Sequence, residues 1–181
     1  MAATDATLVL GVREGDRAAF AELYDRRARL IRAICLDAAG DFHEAADLTQ
    51  EVFLRAYRGL GELHDPQRFS AWLVGIARQV CREWHRRRRR ERTGLRRLAA
   101  TSPAVDPPAL EDQFDQSTVL LRRAVAGLPE KERLALHAFY LQGQDAEQAR
   151  SVLGLSRSGF YRVLSCARQR LKRAMSREVH P

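Results

Sequence analysis

Five side chains near the C-terminus form a set suited to nucleic-acid recognition. Arg157, Ser158, Tyr161, Arg162 and Ser165 recur at helical spacing and so share one side of a helix. Guanidinium groups hold phosphates, and the N-terminal residues of a helix laid in a major groove reach base edges. On the opposite side Phe160, Val163, Leu164, Ala167 and Leu171 make an apolar stripe suited to burial. Gly154-Leu155-Ser156 reads as the tight turn before this helix, with Ser156 placed to cap it by accepting from its first free N–H groups. Turn, cap and two-sided helix together predict a helix-turn-helix that binds DNA.

A second cationic set lies in the first half. Arg78, Arg82 and Arg86 are spaced by four, and the last begins the run Arg86–Arg90. Such a stripe tracks a phosphate backbone, and each contact releases counterions. A third set has a different chemistry. Asp47, Gln50, Glu51, Leu54 and Arg58 share one helix side, where a lone apolar anchor inside a polar rim fits a protein interface.

Nothing in the chain predicts catalysis. The five histidines are scattered, and there is neither a glycine-rich phosphate loop nor a GxSxG elbow. We expect no enzyme activity, no cofactor and no metal. Cys35, Cys81 and Cys166 lack any CxxC spacing, and each reads as a small buried or half-buried helix residue.

These sets need helices to position them. The spacing predicts one amphipathic helix from Asp16 to about Asp37, with Phe20, Leu23, Tyr24, Leu30, Ile31 and Ile34 available for a core, after a weaker short helix from Asp5 to Val12. Asp41 opens the next helix, with Glu44 three residues on as in a capping box. Its buried stripe is Ala45, Leu48, Val52, Phe53, Ala56, Tyr57 and Leu60. A loop over Gly61–Asp65 leads to Pro66 at the first turn of a third long helix. Phe69, Trp72, Leu73, Ile76, Val80 and Trp84 line one face of that helix, and its tryptophans read as core rather than base-stacking groups. Three such helices can close a small core. Ala100–Asp115, with three prolines and scattered acids, reads as a linker.

The expected class is therefore all-α, two small helical domains joined by a flexible acidic linker. Residues 1–97 carry 19 basic against 14 acidic side chains, residues 98–117 none against 4, and residues 118–181 carry 12 against 5. Two basic blocks on either side of an acidic strap suggest two DNA-facing domains with a connection that avoids DNA. No apolar run is long enough to span a bilayer and no signal segment opens the chain, so a cytoplasmic location is expected. Because the chain stops shortly after the recognition helix, no further C-terminal domain is expected.

DFHEAADLTQEVFLRAYRGL followed by FSAWLVGIARQVCREWHRR resembles region 2 of the bacterial extracytoplasmic-function (ECF) sigma factors, in the sigma-70 family. LPEKERLALHAFYLQGQDAEQARSVLGLSRSGFYRVLSCARQRL resembles their region 4. The resemblance implies a dissociable subunit that binds core RNA polymerase and gives it promoter specificity. It assigns polymerase binding to Asp47, Gln50, Glu51, Leu54 and Arg58. It makes Arg78, Gln79, Arg82 and Arg86 contacts to the promoter's −10 element, and Arg157, Ser158, Tyr161, Arg162 and Ser165 contacts to the −35 element. An anti-sigma partner is common in the family. Four positions depart from its pattern. Gln79 stands where Asn is frequent, Gln148 where an apolar residue is usual and Val163 where a basic one is frequent. Gly159 in the recognition helix costs roughly 1 kcal/mol of helix stability relative to Ala. Two other readings compete with this one. A two-domain regulator would use the N-terminal helices to sense a signal or dimerise, and a helical adaptor would leave two separate basic surfaces unexplained.

Overall fold

The computed structural model describes residues 3–98, 116–141, 143 and 145–179. The expected linker, Ala100–Asp115, lies outside the described residues. Those that are described form helices and short connections, with no strand among them.

In the N-terminal half, α1 (Asp5–Arg13), α2 (Arg17–Ala39), α3 (Phe42–Gly59) and α4 (Phe69–Leu98) pack around one core. Side-chain caps start the first three. Thr4 accepts from the Thr7 N–H, Asp16 from those of Ala18 and Ala19, and Asp41 from those of His43 and Glu44. Gly40 ends α2 at φ 71°, a left-handed conformation that disfavours a Cβ. Leu23, Ile31, Val52, Phe69 and Ala77 are almost fully buried where α2, α3 and α4 meet. Asp5 holds α1 down. Its carboxylate accepts from Arg27 of α2 at 2.5 and 2.9 Å and from Ser70 of α4 at 3.2 Å. A sheltered pair of this kind is costly to break, because the surviving charge stays buried.

The connection from α3 to α4 consists of two 3₁₀ turns, Leu60–Glu62 and Pro66–Arg68, rather than a plain loop. Asp65 caps the second, Pro66 fills its first position, and Arg13 of α1 donates to the carbonyls of Leu60 and Leu63.

In the C-terminal half, α5 (Gln116–Ala126), α6 (Glu130–Leu141), α7 (Ala146–Leu153) and α8 (Arg157–Val179) enclose Leu134, Ala149, Val152, Phe160, Leu164 and Ala167. Asp145 caps α7 and Gly154 ends it at φ 61°. The Gly159 N–H then donates to Ser156 Oγ at 3.2 Å, the cap expected of α8.

The halves touch. Asp37 at the end of α2 accepts from Arg133 Nε and pairs with His137 Nε2, both at 2.7 Å and both from α6. Arg78 of α4 forks onto Glu130 at 2.6 and 3.0 Å. The Arg122 guanidinium lies 5.0 Å from the centre of the Phe42 ring.

Several expectations need correcting. Tyr57 is 47% exposed and Tyr24 36%, because each meets a phenylalanine on one side, Tyr57 edge-on to Phe20 and Tyr24 tilted against Phe53, and leaves the rest of its ring to solvent. The ring pairs are Phe20–Tyr57 at 4.9 Å and Tyr24–Phe53 at 4.4 Å. Glu44 does not close a capping box; its carboxylate accepts from Arg88 of α4 at 2.6 Å. Helix α4 buries Val74, Ala77 and Cys81 as well as Leu73 and Val80, since it is flanked by both α2 and α3. Cys35 and Cys81 are buried, but Cys166 is exposed on α8.

Candidate nucleic-acid and protein interfaces

Helix α3 commits one side to the core, so Asp47, Gln50, Leu54 and Arg58 come together on the solvent side, with Glu51 half-exposed beside them. Leu54 is 40% exposed. Tyr57, one turn on, extends the apolar patch that the sequence had limited to Leu54. Glu51 is tethered within its own helix, accepting from Arg55 Nε at 2.7 Å. The Arg55 Nη1 reaches across to Glu83 of α4 at 2.8 Å. Two carboxylates so placed raise the affinity of the Arg55 guanidinium for its proton, and Arg55 in turn holds the Glu83 carboxyl below its ordinary range.

Helix α4 brings Arg78, Gln79, Arg82 and Arg86 to one exposed side. Among the described residues Arg82 and Arg86 have no ion pair, whereas Arg78 is engaged by Glu130 and Gln79 donates to Glu83 Oε1 at 3.0 Å. The Arg78 guanidinium pulls the Glu130 carboxyl below its ordinary value. The arginine run divides between two uses. Arg88 is half-buried, bonded to Glu44 and lying 5.3 Å from the Trp84 ring centre, and Arg87 pairs with Glu91. Arg86, Arg89 and Arg90 are exposed.

On α8 all five predicted side chains, Arg157, Ser158, Tyr161, Arg162 and Ser165, are exposed on one face. The departures at Gln148, Val163 and Gly159 acquire physical reasons here. Gln148 is exposed on α7, so a polar side chain suits it, and Val163 is half-buried against the core. A Cβ on Gly159 would lie 3.0 Å from Ser156 Oγ, the oxygen that receives its N–H. Glycine therefore lets the cap close without crowding.

Sequence reasoning missed Tyr57, Arg55 and Glu83. The i,i+4 pairs Glu51/Arg55 and Gln79/Glu83 were visible as spacing, but the bond joining α3 to α4 was not. It also missed an apolar groove of about 700 Å³ between the end of α2, α5, α6 and α8, walled by Leu36, Val119, Leu121, Leu136, Leu141 and Leu171. Among the described residues there is no cluster of three or more potential metal ligands and no helix long and apolar enough to cross a membrane.

Residues 23–91 match the family described as Sigma-70 region 2. The chain is 30% identical over 161 residues to the ECF RNA polymerase sigma factor SigM of Bacillus subtilis, covering 88% of this chain and 96% of that one. It is 31% identical over 159 residues to the probable RNA polymerase sigma factor RfaY of Xanthomonas campestris pv. campestris, covering 85% of this chain and 40% of that protein. In fold it resembles CnrH, solved in complex with the cytosolic domain of CnrY, with a TM-score of 0.66 and 20% identity over 95% of this chain and 97% of the other.

Proposed function

Because the chain belongs to the ECF sigma factors of the sigma-70 family, we propose that it binds core RNA polymerase and directs promoter-specific initiation without catalysis of its own. Residues 1–97 serve as the polymerase-binding and −10 domain, 98–117 as the linker and 118–181 as the −35 domain. The observation that carries this reading is the pairing of two unlike faces on adjacent helices. On α3, Leu54 sits within Asp47, Gln50, Glu51 and Arg58, a rim-and-anchor surface for protein. On α4, Arg78, Gln79, Arg82 and Arg86 supply phosphate and base contacts. A sensor or adaptor domain has no need of both. The exposed face of α8 then reads the −35 duplex through Arg157, Ser158, Tyr161, Arg162 and Ser165, as a recognition helix does.

The contact between halves gives this function an order of events. While Glu130 holds Arg78, that arginine is denied to DNA, so −10 recognition follows release of this pair. The groove walled by Leu36 and Leu171 supports an anti-sigma partner as well. Its lining comes from both halves, and an amphipathic helix seated there would hold them together.

The test is binding to core polymerase. Asp47→Lys with Glu51→Lys should weaken it at least about tenfold, as expected when attractive charges become repulsive, while the full chain binds −35 duplex DNA unchanged. Equal loss of both would sink the assignment of the α3 face.

A further inference from the structure

Four side chains run without a break from the proposed polymerase face to the proposed −10 face. Glu51 accepts from Arg55 Nε at 2.7 Å, Arg55 Nη1 donates to Glu83 Oε2 at 2.8 Å, and Gln79 Nε2 donates to Glu83 Oε1 at 3.0 Å. Each oxygen of the Glu83 carboxylate thus has a single task, one for the guanidinium of α3 and one for the amide of α4. An ionised carboxylate only accepts hydrogen bonds, so the Gln79 amide must turn its nitrogen towards Glu83. Its carbonyl oxygen and remaining N–H are left on the outward edge. That acceptor and donor pair matches the hydrogen-bonding edge of adenine. Arg55 holds one oxygen of the Glu83 carboxylate in place and pulls the carboxyl below its ordinary range, so the other oxygen stays an acceptor for the amide.

We propose that Glu83, held by Arg55, is a positioning residue for Gln79 and that the chain Glu51–Arg55–Glu83–Gln79 couples polymerase binding to −10 recognition. The proposal rests on the reading of the α3 and α4 faces given above. Arg55 divides its charge between Glu51 and Glu83 in the free chain. A cationic polymerase group that takes Glu51 leaves Arg55 to Glu83 alone, which tightens the grip on the amide. Polymerase therefore improves base discrimination at the position Gln79 reads, and by reciprocity the correct base raises polymerase affinity by the same factor. The groups involved are about a third to two-fifths exposed. Partly exposed ion pairs are individually weak, so the coupling is about two- to fivefold.

The test uses holoenzyme reconstituted with the full chain and fork-junction promoter DNA carrying each base in turn across the −10 element. Gln79→Ala should lower discrimination at one position. Glu83→Gln, which keeps the shape but lets the side chain donate, should lower it at that same position by about two- to fivefold and should remove the gain in polymerase affinity that the correct base confers. Arg55→Gln should give the same base-specific loss, and Glu83→Asp should restore part of it. Adding Glu83→Gln to Gln79→Ala should cost nothing further. Additive losses, or a Glu83→Gln loss spread evenly over all positions, would overturn the positioning role while leaving Gln79 as a DNA contact. No effect of Gln79→Ala at any position would overturn that contact and the relay together.

Discussion

Replacing Asp37 with Asn should open the molecule. The Asp37 carboxylate lies between Arg133 and His137 at 2.7 Å each, with all three side chains about a fifth exposed. Shelter makes this contact worth more than a surface ion pair, which contributes about 0–1 kcal/mol. Arg133 also donates to the carbonyls of Ala126 and Leu128 at 3.0 and 3.2 Å, so its guanidinium stays in place and faces a neutral amide in the variant. A charge-assisted hydrogen bond contributes about 1.5–3 kcal/mol, and the amide oxygen of Asn still accepts one bond. The net loss is therefore about 2 kcal/mol, in the contact between halves rather than in either core. At 1.4 kcal/mol per decade, that shifts the closed-to-open ratio roughly 25-fold. Hydrogen exchange should report it as faster exchange in α6 and the last turn of α2, with the α2–α3–α4 core unchanged. If only the open form binds polymerase, the apparent affinity should rise with the open fraction, up to the limit at which opening is complete. Unchanged exchange in α6, or weaker polymerase binding with an intact fold, would refute this reasoning.

Three further outcomes follow. The Glu130 carboxyl is depressed by Arg78, so its hold on the closed form is complete above its ordinary value of 4.5 and is lost as pH falls through the depressed one. Acidification below about pH 4.5 should loosen the contact between the halves, with a larger pH-dependent change in low salt than in high because salt screens the Arg78 pair, and a contact insensitive to pH there would rule out the role given to Glu130. Asp5→Ala removes the carboxylate that Arg26, Arg27 and Ser70 share and should cost about 1–3 kcal/mol of stability, read as a lower denaturation midpoint; an unchanged midpoint would mean that this carboxylate does not hold α1 down. Arg157→Ala with Arg162→Ala should weaken −35 binding and flatten its dependence on salt, whereas an unchanged slope would remove those guanidiniums from the DNA.

What the sequence revealed and what it concealed divide along physical lines. The helix starts at Asp16 and Asp41, the turn at Gly154 and the cap at Ser156 were all legible, because capping is local and each cap lies within three residues of its partner. The three exposed faces were legible because helical period separates buried from solvent sides. Tyr24 and Tyr57 were not, since they sit at the margin of a stripe, where period cannot say which ring face meets water. Arg88 was hidden for a different reason. Its partner Glu44 is 44 residues away, and a run of arginines looks the same whether a member binds DNA or ties α4 to α3. The Asp37 and Arg78 contacts between halves were invisible on the same grounds, since charge pairing across such distances follows from the fold and not from spacing.

The most direct test of the central claim is run-off transcription. Core RNA polymerase with this chain, on a library of promoter fragments, should yield transcripts with one defined start downstream of a shared pair of −10 and −35 elements. Those transcripts should vanish when the chain is omitted. Transcripts independent of the chain, or no stable complex with core polymerase, would contradict the account.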